Sequence, residues 1–281
     1  MFWQTSRFSI DLTIPRVMGI VNVTPDSFSD GGQHATTASA VQHCEQLIED
    51  GADMLDIGAE SSRPGAAPVP VGEELARLLP VIHHAVTLGV PVSVDTYKPE
   101  VMQAVLDMGV DIINDIWALR QAGARAVVAG HPACGVCLMH MHLEPVTMQT
   151  APMEGDVLAQ VVAFLNDATT QLQAMGVAKG RIVLDPGIGF GKTVAQNFSL
   201  LGRQSELLAL GHPLLAGWSR KSSLAAVCGT SLASVAQLDV LDRMVPSVAA
   251  ALLAVDRGAR IVRVHDVRET VQALKVWSAA A

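Results

Sequence analysis

The feature that most limits what this chain can become is a unit that recurs from end to end. A short apolar run of strand length stops on a polar residue, a loop follows, and then a helical pattern begins. The first instance is VMGIVNVTPDSFSDGG, Val17 to Gly32, in which Val17, Met18, Ile20 and Val21 lead to Asn22 and helical spacing starts near Thr37. Runs of the same kind are Met54–Gly58, Val90–Asp95, Ile112–Ile116, Gly135–Met141, Arg181–Pro186, Pro213–Trp218 and Ile261–His265. Helical patterns fall at Ala38–Asp50, Gly72–Leu88 with Pro80 as a point of kinking, Glu100–Met108 behind Pro99, Gln121–Ala129, Asp156–Met175 and Val267–Trp277. Strands alternating with helices run parallel, because each return to the sheet needs a crossover. Eight of them within 281 residues predict an α/β fold, a closed (β/α)8 TIM barrel in a single domain spanning 1–281. Residues 1–15 read as an N-terminal extension, and the alternation in Phe8–Leu12 predicts a small hairpin closing one end of the molecule.

A barrel of this type carries its chemistry where the strands end. Asn22, Asp56, Asp95, Asn114, Asp115, His140, Asp185, Ser219, Arg263 and His265 all lie at or just past the ends of the apolar runs. Capping accounts for one such residue; several carboxylates with an arginine point to a site. The charge balance narrows its ligands. A net charge of −8 without a basic block argues against nucleic acid, so an anionic ligand would be held by a few local cations. The start of the chain lacks a basic stretch followed by a long apolar segment, and Val248–Val255 is too short to span a bilayer, so a soluble, cytoplasmic protein is expected.

Three tempting motifs weaken on inspection. Asp185-Pro-Gly-Ile-Gly-Phe-Gly-Lys192-Thr193 resembles a phosphate-binding loop, but Pro186 stands where GxxxxGK needs glycine. His140-Met-His142 places two imidazoles on one strand face, for which packed or hydrogen-bonded histidines are the expected reading. Cys134-Gly-Val-Cys137 has no second cysteine pair to complete a zinc site, and the four cysteines are expected to be reduced and mostly buried.

The stretches GIVNVTPDSFSDGG, ESSRPGA, VDTYKPEV, INDI, LMHM, LDPGIGFGK, SRKS and IVRVHD occur in the order found in dihydropteroate synthases. The chain resembles that pterin-binding family from about Arg16 to its last helix. The resemblance implies a transferase of folate biosynthesis that joins 6-hydroxymethyl-7,8-dihydropterin pyrophosphate to 4-aminobenzoate and releases pyrophosphate. It implies catalytic roles for Asp95, Asp185, Lys221 and Arg263, and a pterin site of these four with Asn114. Asp185 would take the 2-amino and N3-H edge, Lys221 the carbonyl and N5, and Arg263 would stack on the ring face. Asn22, Arg263 and His265 would hold pyrophosphate, Asn22 with Mg2+. Ser62, Arg63, Pro64, Phe190, Ser219 and Lys221 would form the 4-aminobenzoate site, and Asp30 and Arg63 would serve closure of the first two loops, Asp30 being a further candidate for the metal.

The same resemblance implies a homodimer with small-molecule substrates and sensitivity to sulfonamides. The chain departs from the usual family pattern at Ala59, Ser62, Tyr97 and Trp117. Rival readings are a methyltransferase on a related pterin barrel, a metal-dependent barrel hydrolase using His140 and His142, and a non-catalytic pterin-binding module.

Overall fold

The structure, a computed structural model, describes residues 1–24, 32–61, 67–143, 153–229 and 239–280. It opens with an antiparallel hairpin, β1 (Phe2–Gln4) and β2 (Ser9–Asp11). The barrel strands follow: β3 (Arg16–Asn22), β4 (Met54–Gly58), β5 (Val92–Asp95), β6 (Ile112–Asp115), β7 (Gly135–Met139), β8 (Ile182–Asp185), β9 (Leu214–Ala216) and β10 (Ala259–Val264). Each pairs in parallel with its successor, and β10 pairs with β3 to close the ring. The helices are α1 (Gly32–Glu49), α2 (Val71–Ala85), α3 (Pro99–Asp107), α4 (Ala124–Gly130), α5 (Val157–Ala174), α6 (Val194–Gly202), α7 (Ser222–Cys228), α8 (Met244–Asp256) and α9 (Val267–Ala280). The (β/α)8 architecture is therefore as the spacing predicts. Among the described residues, no helix is long and apolar enough to cross a membrane.

Side chains alternate in direction along a strand, and here the alternation separates two layers. Val17, Val21, Leu55, Ile57, Val92, Val94, Ile113, Val136, Leu138, Ile182 and Leu184 face the helices in one continuous core. The intervening Met18, Met54, Ile112, Cys137, Val183, Leu215 and Ile261 fill the barrel axis near the start of the strands. The hairpin closes that end, as expected: Trp3, Ile10 and Leu12 join the axial cluster, and the Trp3 indole donates to the Arg181 carbonyl at 2.9 Å. Cys134, just before β7, belongs to the outer core and Cys137, within it, to the axis, so the two thiols lie on opposite sides of the barrel wall and do not form a metal pair. Both are buried, as is Cys44; Cys228 is exposed.

Element ends differ from the sequence expectation where local chemistry intervenes. Pro91 offers no N–H, and β5 begins at Val92 rather than Val90. Helix α4 starts at Ala124 rather than Gln121, behind Gly123 in the left-handed region (φ +92°). Helix α2 runs unbroken through Pro80 and stops at Ala85.

Candidate active site

Two residues further along each strand the axial positions turn polar. From Met54 the inward register reaches Asp56, from Ser93 Asp95, from Ile112 Asn114, from Val183 Asp185 and from Ile261 Arg263. The carboxylates and the arginine thus share one floor because their strands are in parallel register, not because they are near in sequence. Arg263 is clasped from two sides: its Nε lies 2.5 Å from Asp56 Oδ2 and its Nη2 3.0 Å from Asp95 Oδ2. The same Asp56 oxygen accepts from Asn114 Nδ2 at 3.1 Å, which leaves the Asn114 carbonyl oxygen as an acceptor for the cavity. Asp56 is fully buried, and its Oδ1 has no hydrogen-bond partner.

The electrostatics follow from crowding four carboxylates and three cations into one end of a barrel. Burial pushes the Asp95 carboxyl up to about 7, with Arg263 opposing and Asp56 adding. Burial also raises Asp185, against the Gly187 N–H and the charges of Lys221 and Lys192. It lowers the Lys221 ammonium to about 8, Asp185 opposing. For Arg263, burial acts downward but Asp56 and Asp95 more than offset it, so the guanidinium stays charged. Asp115 points away from the floor. It accepts from the backbone N–H of Trp117 and Leu119, both at 2.7 Å, and holds a turn in which Ala118 and Leu119 have φ of 51° and 59°.

Around the floor, Ser219 Oγ lies 2.9 Å from His265 Nδ1 and accepts from the His265 N–H at 3.1 Å, joining the two residues after β9 and β10. The Lys221 ammonium sits 4.3 Å from the centroid of the Phe190 ring. Asn22 ends β3, half-buried, beside Gly58 in register. Tyr97 stacks on Trp117 with centroids 5.3 Å apart, and both pack against Ile116, Met139, Met141 and Phe190 as one wall of the mouth. Glu60 accepts from the Tyr97 hydroxyl at 2.9 Å, from the Val69 N–H at 3.1 Å and from Lys98, which also meets Glu74. Of the residues singled out from sequence, the structure gathers Asn22, Asp95, Asn114, Asp185, Phe190, Ser219, Lys221, Arg263 and His265 at this end. Asp30, Ser62, Arg63 and Pro64 lie outside the described residues.

Asp56 is singled out by its strand-end position but given no role from sequence; the two-residue step from Met54 places it on the floor. Lys192 is not assigned to the site from sequence at all, and is buried where a lysine in a glycine-rich loop reads as exposed.

A barrel whose floor is built of acceptors and one clasped guanidinium is suited to a flat, donor-rich heterocycle, and comparison with known proteins agrees. Residues 18–265 match the family described as pterin binding enzyme, and the chain belongs to that family. Within it the chain stands with the dihydropteroate synthases. It is 48% identical to the dihydropteroate synthase of Neisseria meningitidis serogroup B over 99% of this chain and 96% of that one. The Burkholderia cenocepacia dihydropteroate synthase, solved with 7,8-dihydropteroate, superposes with a TM-score of 0.87 at 45% identity, covering 99% of this chain and 96% of that one. The Yersinia pestis enzyme, solved with a sulfonamide drug complex, gives 0.92 at 41% identity, covering 100% and 99%.

Proposed function

We propose that the chain condenses 6-hydroxymethyl-7,8-dihydropterin pyrophosphate with 4-aminobenzoate to give 7,8-dihydropteroate and pyrophosphate, a step of folate biosynthesis. The observation that carries this reading is the inward floor of Asp56, Asp95, Asn114, Asp185 and Arg263. Asp185 accepts from the 2-amino and N3-H edge of the pterin, Asn114 turns its carbonyl to a ring donor, and Asp95 accepts from the far ring N–H through the oxygen not bound to Arg263. Lys221 meets the carbonyl and N5. Its ammonium is held over Phe190, which with Ser219 and the loop residues Ser62, Arg63 and Pro64 receives the aminobenzoate.

Pyrophosphate leaves before the amine attacks. The dihydropterin is electron-rich and spreads a cation from its exocyclic methylene across the ring, and the Asp95 and Asp185 carboxylates favour that charge. Arg263 and His265 bind the departing anion, and Ser219 orients His265. The arylamine is already neutral at pH 7, so no strong base or covalent nucleophile is required.

Mg2+ fits this end of the barrel. Asn22 offers a hard, neutral amide oxygen at the strand end, and Mg2+ commonly takes one or two protein oxygens with the rest from water and substrate phosphates. Asn22, with Asp30 as a second candidate, would hold it, and when bound it would neutralise charge on the pyrophosphate. Val245 and Leu253 on α8 are 70% and 45% exposed, which suits a homodimer built on that helix. The protein works in the cytoplasm on small-molecule substrates, without nucleic acid or membrane.

The test is release of pyrophosphate in a coupled assay with both substrates present, together with calorimetry on Asp185→Asn. The substitution turns one acceptor into a donor and is expected to cost pterin binding about 2 kcal/mol or more. Unchanged pterin affinity would remove Asp185 from the floor, full turnover in excess chelator would remove Mg2+, and light scattering showing only monomer would remove the homodimer.

A further inference from the structure

The glycine-rich loop after β8 looks like an anion cradle in sequence and is built the other way round. In a phosphate loop the backbone N–H groups point inward. Here the carbonyls do, and the loop's own Lys192 fills the ring they make. Lys192 is 4% exposed. Its Nζ lies 2.8 Å from the Gly187 carbonyl, 3.2 Å from that of Phe190, 2.9 Å from His140 Nδ1 and 3.4 Å from the His140 carbonyl. Burial lowers its pKa to about 7, with Asp185 opposing, and among the described residues its hydrogen-bond partners are carbonyls and an imidazole rather than carboxylates, acceptors that favour the ammonium form. An ammonium has three N–H groups, and two carbonyls with one imidazole nitrogen satisfy all three.

The surroundings are built for that occupant. Burial holds the His140 pKa to about 2, with Lys192 adding to the shift, so the ring is neutral and offers Nδ1 as an acceptor with its proton on Nε2. Phe164 packs edge-on to the same ring at 4.9 Å. Gly187 has φ +69°, and a Cβ there would stand 1.8 Å from the His140 carbonyl oxygen, so only glycine brings the loop this close. The N–H groups released to the outside of the loop are also used: Gly187 donates to Asp185 Oδ1 at 2.7 Å and Gly189 to Asn197 Oδ1 at 2.9 Å. The loop thereby touches the pterin floor through Asp185 and the aminobenzoate side through Phe190, whose ring lies under the Lys221 ammonium.

We propose that Lys192 is a positioning residue for the transfer reaction: its ammonium is the internal cation around which residues 187–191 wind, and the winding sets Asp185, Phe190 and Lys221 relative to one another. Lys192 touches no substrate in this arrangement. Without the cation, the Phe190 carbonyl and His140 Nδ1 lose their donor and the Gly187 carbonyl keeps only the Phe190 N–H at 3.2 Å, so the loop can satisfy the orphaned groups only by turning them toward water. That movement carries Phe190 away from Lys221 and withdraws the Gly187 N–H from Asp185. The proposal rests on the dihydropteroate-forming activity argued above.

Three variants test it. Lys192→Met keeps the length of the side chain and removes the N–H groups. Lys192→Ala opens a space that ethylammonium can enter. His140→Gln alters one acceptor and leaves the lysine. With thermal melts confirming the fold, Lys192→Met is expected to lower kcat/KM for both substrates about 30-fold, and His140→Gln to raise both KM values about 3-fold. Ethylammonium should restore Lys192→Ala saturably by about 5-fold or more, and should do nothing for the wild type or for Lys192→Met, where the space is filled. Wild-type kinetics in Lys192→Met or in His140→Gln would overturn the proposal. So would loss in a folded Lys192→Ala that no alkylammonium restores, or failure of both lysine variants to fold, since Lys192 would then act on stability alone. Absence of pyrophosphate release by the wild-type enzyme would instead overturn the function itself, before any variant is compared.

Discussion

The Nε of Arg263 lies 2.5 Å from Oδ2 of Asp56, a carboxylate that is fully buried beneath it. The same oxygen holds Asn114, so one buried group sets the orientation of both a cation and an amide on the floor. Asp56→Asn keeps the shape but removes the charge that Arg263 faces. The expected result is a loss of about 2 kcal/mol in transition-state binding, roughly a 30-fold fall in kcat/KM for the pterin substrate. Steady-state kinetics with each substrate varied in turn checks this, and an unchanged pterin constant would show that Asp95 alone is enough to orient Arg263.

At Gly187 the backbone forbids any side chain. Gly187→Ala combines a left-handed φ with a Cβ driven into the His140 carbonyl, and is expected to destabilise the fold by about 3 kcal/mol. Guanidinium unfolding measures the loss, and pterin binding should weaken with it because Asp185 forfeits the Gly187 N–H.

Asp115 supplies a pH dependence. Burial raises its pKa to about 7 in the folded state, opposed by the N–H groups of Trp117 and Leu119, against about 3.9 for an unfolded aspartate. The folded protein therefore holds a proton that the unfolded chain has released. The contribution is complete below the unfolded value and is lost as pH rises toward about 7. Asp115→Asn cannot ionise, so across that window its unfolding free energy should fall less steeply than that of the wild type, by at most about 1.4 kcal/mol per pH unit. Parallel curves for the two proteins would refute the assignment.

Trp3 separates stability from activity. It is fully buried at the end of the barrel away from the floor, and Trp3→Ala is expected to cost about 3–5 kcal/mol of stability. The kcat of the folded fraction should not change. A selective loss of kcat without a drop in melting temperature would contradict the closing role given to the hairpin.

The sequence carried the barrel well because its signal is periodic: each apolar run had strand length, and a polar residue marked where it stopped. It carried the edges of those runs poorly, since hydrophobicity extends beyond the ladder at either end, as at Val90 before β5 and Met141 after β7. Helix α6 was missed although Thr193 and Gln196 form a capping box that announces its start. Asp56 could have been placed on the floor by counting two residues on from Met54. Lys192 could not, because what buries it is a ring of carbonyls whose direction depends on backbone torsions at three glycines. The roles of Ser62, Arg63 and Pro64 rest on resemblance alone, and no periodic pattern in the second loop bears on them.

The pairing of β10 with β3 has a consequence for how the molecule is made. Ile261 stands opposite Arg16, so the first barrel strand to leave a ribosome waits for the last before its free side is covered. The Trp3 indole waits similarly for the Arg181 carbonyl. Until then the growing chain is an open, twisted sheet with helices packed on it and a bare edge on β3, the kind of edge that pairs with a neighbouring chain. Synthesis that halts before β10 should leave that edge exposed for good, and such truncated products should be recovered as aggregates rather than as weakened enzymes.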